Sequence, residues 1–186
     1  MKNRSYIIVL LLCTYELGYS QIYITGRGTT IKKEIIGEEF NLSNKNLTHI
    51  GVAYKEKDSL VIYNVSSDRE LNGSSLIVES WAQFINGKDV FYTAIWELKI
   101  SKKQQKQFKN RLQKYLKNKI QFDDMFKLDN NKLYCSEFVA KILNESKIGK
   151  YLPTVKDIKQ SNKLIYYPVD FFLSNIYFNL IYTNTN

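Results

Sequence analysis

Hydrophobic positions along this chain change period several times, and each change predicts an element. "LTHIGVAY", residues 47–54, is rich in β-branched and aromatic residues, and so is "SLVIYNVSS", residues 59–67. With the polar "KEKD" between them they read as an antiparallel hairpin. "SSLIVESWAQFING" mixes strand and helix signals and predicts a short helix at about 78–86 that ends at Gly87. "DVFYTAIWELKI", residues 89–100, is a strand. Ser101 then caps a helix running to about 119, with Phe108, Leu112, Tyr115, Leu116 and Ile120 as its apolar stripe. After the loop "QFDDMFKLDNNK", "YCSEFVAKIL" repeats at helical spacing, with Phe138, Val139, Ile142 and Leu143 on one face and a stop before Gly149. Pro168 marks a turn in the tail, ahead of a last apolar run, "IYFNLIY". Residues 21–46 are polar and turn-rich, with one or two short extended segments. No repeat or low-complexity linker interrupts the chain, which predicts a single domain over residues 21–186.

The first twenty residues fall outside this pattern. "MKNR" is a basic start, "YIIVLLLCTY" an apolar run too short to span a bilayer, and "GYSQ" offers small residues at Gly18 and Ser20. This predicts a cleaved signal peptide, residues 1–20, and a secreted or periplasmic protein. A lipid anchor at Cys13 fits less well, because Leu12 stands where a small residue belongs. Cleavage would leave one cysteine, Cys135, and one histidine, His49, of the two cysteines and one histidine in the whole chain. An internal disulfide is then excluded. One His and one Cys do not make a zinc site of the usual ligand count, so no metal and no cofactor are expected.

Composition and charge add two points. At 44% apolar and 14% aromatic, the chain can build a core without staples. Its net charge of +9 favours anionic surroundings. Residues 99–119 hold nine basic side chains and no acidic one, which reads first as a solvated helix face and second as a contact for anionic envelope polymer or lipid. Export argues against nucleic acid.

The candidate chemistry starts at Cys135, in the first turn of its helix. There the unpaired amides and the helix dipole favour thiolate, although a small buried hydrophobe is the duller alternative. Alternation puts His49, Gly51 and Ala53 on one strand face, so the imidazole stands beside two nearly absent side chains. If the loop is residues 55–58, Tyr54 opposes Ser59 and His49 opposes Asn64. An amide oxygen there would orient the ring and leave its other nitrogen for the thiol. Asp68 and Glu79 are the alternative orienting groups.

These segments together resemble a known family. "LTHIGVAYKEKDSLVIYNVSSD", then "FDDMFKLDNNKLYCSEFVAKIL", then "YYPVDFF" are similar to the YiiX/YebB-like branch of the NlpC-type cysteine hydrolases. The resemblance covers roughly residues 35–175. It implies an α+β, circularly permuted papain-like fold, with an antiparallel sheet packed against the helix bearing the cysteine. It also implies Cys135 as nucleophile, His49 as general base and acid, and Asn64 as orienter, where the family usually has an acidic residue. The role of Glu137 in "YCSE" stays open between helix capping and substrate contact. The implied activity is a thiol hydrolase acting through an acyl-enzyme on cell-wall peptide amides, with acyl lipids as the second substrate class. A non-catalytic envelope binding module on the same scaffold is the alternative.

Overall fold

The computed structural model describes residues 22–68, 70–158 and 162–185; the expected signal peptide, Cys13 included, lies outside them. β1 (Ile22–Thr29) leads directly into α1 (Thr30–Lys32) and a π-helix (Lys33–Phe40). The sequence predicted only short extended pieces here. Ile31 and Ile35 remain 77% and 61% exposed, so the helical segment has no well-buried stripe to announce it.

β2 (His49–Glu56) and β3 (Ser59–Val65) form the expected hairpin around a tighter turn, Lys57–Asp58, with Lys57 at φ 55°. Glu56 pairs with Ser59, and Tyr54 opposes Val61 instead of Ser59. The register is therefore two residues from the expected one. An even shift leaves every side chain on its expected face. β4 (Leu76–Ser80) takes the first part of the segment expected to be helical, and α2 (Trp81–Ile85) the rest. Ser80 caps α2 by accepting from the Gln83 amide. β5 (Val90–Leu98) follows.

α3 (Lys102–Leu116) begins at the Ser101 cap, buries Phe108 and Leu112, and turns its lysines outward. β6 (Gln121–Phe122) and β7 (Lys132–Leu133) bracket a loop tied by Asp123, whose carboxylate accepts from the Met125 and Lys127 amides and from Asn130 Nδ2. α4 (Cys135–Glu145) comes next. β8 (Thr154–Ile158) and β9 (Asn162–Tyr166) form a second hairpin that the sequence did not suggest. Its Val155 and Ile165 are exposed, so no polar-out alternation marked it. β10 (Phe178–Thr185) is the last apolar run.

Six strands make one antiparallel sheet in the order β10-β5-β1-β2-β3-β4. Alternation along β2 sends Ile50, Val52 and Tyr54 into the main core with Phe138, Val139, Ile142 and Leu143 of α4. Ala53 packs instead with Ile62 and with Phe84 of α2 in a smaller cluster. The class is α+β, and the helix bearing the cysteine lies on the sheet. Among the described residues no helix is long and apolar enough to cross a membrane.

Candidate active site

Cys135 is the first residue of α4, and its neighbours hold the tail segment in place. Tyr134, the N-cap, is 2% exposed, and its hydroxyl accepts from the Tyr167 amide at 2.8 Å. Ser136 Oγ donates to the Tyr167 carbonyl at 2.7 Å. Three residues on, buried Asp170 gathers the loop that precedes β2. Its carboxylate accepts from the amides of Leu42, Ser43 and Asn44 at 3.0, 2.6 and 2.9 Å, and from Ser43 Oγ at 3.1 Å. Asn41 Oδ1 accepts from the Val169 amide, while its Nδ2 donates to the Leu47 carbonyl. The "YYPVDFF" segment is thus a strap joining the start of α4 to the start of β2. It brings Cys135 and His49 to one cavity although the sequence separates them by 86 positions.

His49 is 6% exposed, and its Nε2 lies 2.9 Å from Asn64 Oδ1. The expected partnership forms by a different route. In the observed register Asn64 continues opposite Gly51, diagonal to His49. A Cβ on Gly51 would stand 2.9 Å from Asn64 Cβ and 2.8 Å from the Tyr63 carbonyl oxygen. Glycine therefore clears the path by which the amide reaches the ring. Asn64 Nδ2 donates to Glu79 Oε1 at 2.8 Å. A carboxylate only accepts, so this bond fixes which end of the amide is nitrogen. Oδ1 then accepts from His49 Nε2–H, and Nδ1 carries the free lone pair. Of the alternative orienting groups, Glu79 acts on Asn64, and Asp68 pairs with Lys32 at 3.4 Å.

Electrostatics set the resting protonation. Burial lowers the His49 pKa to about 3, aided by Arg27 and opposed by the Asn64 bond. Burial also pushes the Cys135 thiol up. The amides of Ile50 and Ser136, which donate toward the sulfur, and the charges of Lys32 and Arg27 pull it down, but less strongly. The sequence favoured a thiolate at the helix N-terminus; in the folded protein desolvation outweighs the dipole, and the pair rests as neutral thiol and neutral imidazole. No hydrogen bond joins sulfur to ring among the described residues.

Glu137 lies at the third position of α4, fully buried, with Oε1 2.8 Å from Lys141 Nζ. Burial raises its pKa, opposed by Lys141 and by the Tyr134 N–H. It is not among the residues lining the cavity, which argues against substrate contact.

The cavity itself, about 350 Å³, was not legible in the sequence. His49, Cys135, Thr48, Ser66 and Ser136 form its polar end. The α1–π segment and the strap, both irregular chain by sequence pattern, supply a large part of its wall.

Neither a protein-family model nor a curated protein matches the sequence. Among solved structures, the fold is similar to that of the metalloprotein yiiX from Escherichia coli O157:H7, DUF1105. The TM-score is 0.67 at 12% identity, over 90% of this chain and 99% of that one. At that identity the likeness shows the fold alone.

Proposed function

We propose that this protein is a thiol hydrolase of amide or ester bonds, with Cys135 as nucleophile, His49 as general base and acid, and Asn64 as orienter. The observation that carries the reading is the His49–Asn64–Glu79 chain, which orients the ring and leaves its Nδ1 lone pair to the cavity that Cys135 lines. Glu79 also bears on the missing acid at the third position. A carboxylate behind the amide polarises Asn64 and so favours the imidazolium that forms during reaction.

In the proposed reaction the Cys135 proton passes to Nδ1 as the sulfur bonds to the substrate carbonyl carbon. The imidazolium then protonates the departing amine or alkoxide as its bond to that carbon breaks. Water, deprotonated by the same nitrogen, cleaves the thioester to a carboxylic acid and the free thiol. The Ile50 and Ser136 amides stabilise charge on sulfur. Catalytic hydrogen bonds in an unliganded site commonly tighten only when substrate arrives. Cell-wall peptides and acyl lipids are the two substrate classes in this reading, reached after export, with the lysine face of α3 turned to anionic envelope polymer or lipid.

The neighbour's description as a metalloprotein does not transfer. Among the described residues no three His, Cys, Asp or Glu side chains converge, and Nε2 of His49 is engaged by Asn64. Two remaining donors do not fit the usual three or four ligands, so no step runs through a metal.

The test is acylation of the full-length chain by a p-nitrophenyl ester, read as a burst of nitrophenol and as a mass increase on the Cys135 peptide. The burst should vanish in Cys135→Ala and slow at least a hundredfold in His49→Gln. Acylation no faster than that of glutathione would overturn the reading.

A further inference from the structure

α3 carries its positive charge almost without counter-charge. From Lys102 to Lys119 every exposed side chain is Lys, Asn or Gln, while Phe108 and Leu112 turn inward. At helical spacing Lys102, Lys106, Lys109 and Lys117 fall on one row, about 22 Å long. A helix face that merely meets water commonly alternates its signs and ties itself with ion pairs at i,i+3 and i,i+4. Here the neighbours at those spacings are Lys102–Lys106, Lys103–Lys106, Lys106–Lys109 and Lys114–Lys117, and each such pair repels. Lys102 and Lys103 also open the helix, where its dipole disfavours cations, and the first turn holds no acid to offset them. Arg111 pairs with Glu145 of α4 at 3.8 Å, but among the described residues no acidic side chain pairs with the row. The fold therefore keeps a line of unneutralised charge at a cost to α3, and an anion laid along it would relieve that cost.

The same face selects the kind of anion. The aromatic rings of α3 pack inward, Tyr115 edge-on to Phe138 of α4 at 5.4 Å. The face thus offers nothing to insert into a bilayer and no ring for bases to stack on. Its lysines lack the paired donors of an arginine fork and meet phosphate as point charges. A chain of three-carbon polyol phosphates repeats its charge about every six bonds, which modest coiling brings to the helix pitch of about 5.4 Å. We propose that α3 is a docking surface for a flexible, base-free polymer of phosphodiester-linked polyol units, laid along Lys102, Lys106, Lys109 and Lys117. This goes beyond the hydrolase reading and does not depend on it, since the polymer binds whether or not Cys135 is acylated.

The experiment is calorimetric titration of the full-length chain with synthetic poly(glycerol phosphate) over a salt series. An oligo-dT of equal charge and phosphatidylglycerol vesicles are the comparisons. Log affinity should fall with log salt at a slope of about −3, from about four phosphates at roughly 0.7 each. Lys102→Gln, Lys106→Gln and Lys117→Gln together should weaken polymer binding about a hundredfold at low salt and flatten the slope by about 2. The matched triple of Lys88→Gln, Lys127→Gln and Lys163→Gln, exposed positions outside α3, removes the same charge and should change affinity less than about threefold. Lys106→Glu should weaken binding yet raise the urea midpoint of the free protein, because a carboxylate there pairs with Lys102, Lys103 and Lys109. Equal weakening by both triples would reduce the effect to net charge and overturn the docking surface, as would a salt slope near zero. Tighter binding of the oligonucleotide would assign the face to nucleic acid. Tighter binding of vesicles at matched phosphate would assign it to lipid, and either result would overturn the polymer.

Discussion

Lowering the pH from 7 to 4 should destabilise this protein specifically through His49, because the imidazole is neutral while buried and charged once the chain unfolds. The folded pKa lies near 3 against an ordinary 6.5, chiefly through desolvation, with the Arg27 charge adding to it. Below pH 6.5 the unfolded chain takes up a proton that the folded protein refuses until about pH 3. The His49 contribution is therefore intact above 6.5 and shrinks throughout that window. At about 1.4 kcal/mol per pH unit, the step from pH 7 to pH 4 costs about 3 kcal/mol. That is a large share of the roughly 5–15 kcal/mol that holds a domain together. The assay is urea unfolding followed by circular dichroism at pH 7, 6, 5 and 4, for the wild type and for His49→Gln. The carboxylates titrate in both proteins, so the difference between the two pH slopes isolates the histidine. The wild type should lose about 3 kcal/mol more than the variant over the range. Parallel curves, agreeing within about 1 kcal/mol, would mean that the ring is solvated or already charged in the folded state, and the neutral-base argument would fall with it.

Three further outcomes follow from the same geometry. Gly51→Ala should cost about 1–3 kcal/mol by overpacking and should slow Cys135 acylation by displacing Asn64, since its Cβ has only 2.8–2.9 Å to the Tyr63 oxygen and Asn64 Cβ; urea midpoints and nitrophenol release measure the two effects. Asp170→Ala strips the partner from three backbone amides in the loop before β2 and should cost about 3 kcal/mol, with Asp170→Asn losing less; the urea midpoint shift decides it. Alkylation by iodoacetamide, followed on the Cys135 peptide so that Cys13 does not contribute, should rise only above the ordinary thiol pKa of about 8.5, because burial holds the thiol protonated. A plateau extending below pH ~7 would instead show a resting thiolate–imidazolium pair.

Local pattern was enough where an element announces itself by its own periodicity and caps. α3 and α4 have apolar stripes at helical spacing, and the Ser101–Gln104 box marks a helix start on its own. The hairpin faces were legible because period-two alternation fixes them whatever the turn length. Its register was not, since a two-residue turn replaced the four-residue loop, and the His49–Asn64 contact survived only because the error was even. β8, β9 and the helical stretch from Thr30 to Phe40 left no such trace. Their apolar side chains, Ile31, Ile35, Val155 and Ile165, face outward, so burial did not pattern the sequence.

The sequence by itself determined which side chains could do chemistry here: a cysteine opening a helix, the one histidine of the chain, and small residues beside it on a strand. Those facts depend on residue type and on neighbours within a turn or a strand. Tertiary structure decided what state that chemistry rests in and what surrounds it. Desolvation, which no local pattern reports, reversed the expected thiolate and depressed the imidazole. The strap through Tyr167 and Asp170 closed 86 positions of separation, and Asn64 linked Glu79 to His49. The apolar cavity exists because two segments of weak periodicity fold over Cys135 and His49, an arrangement set by long-range packing.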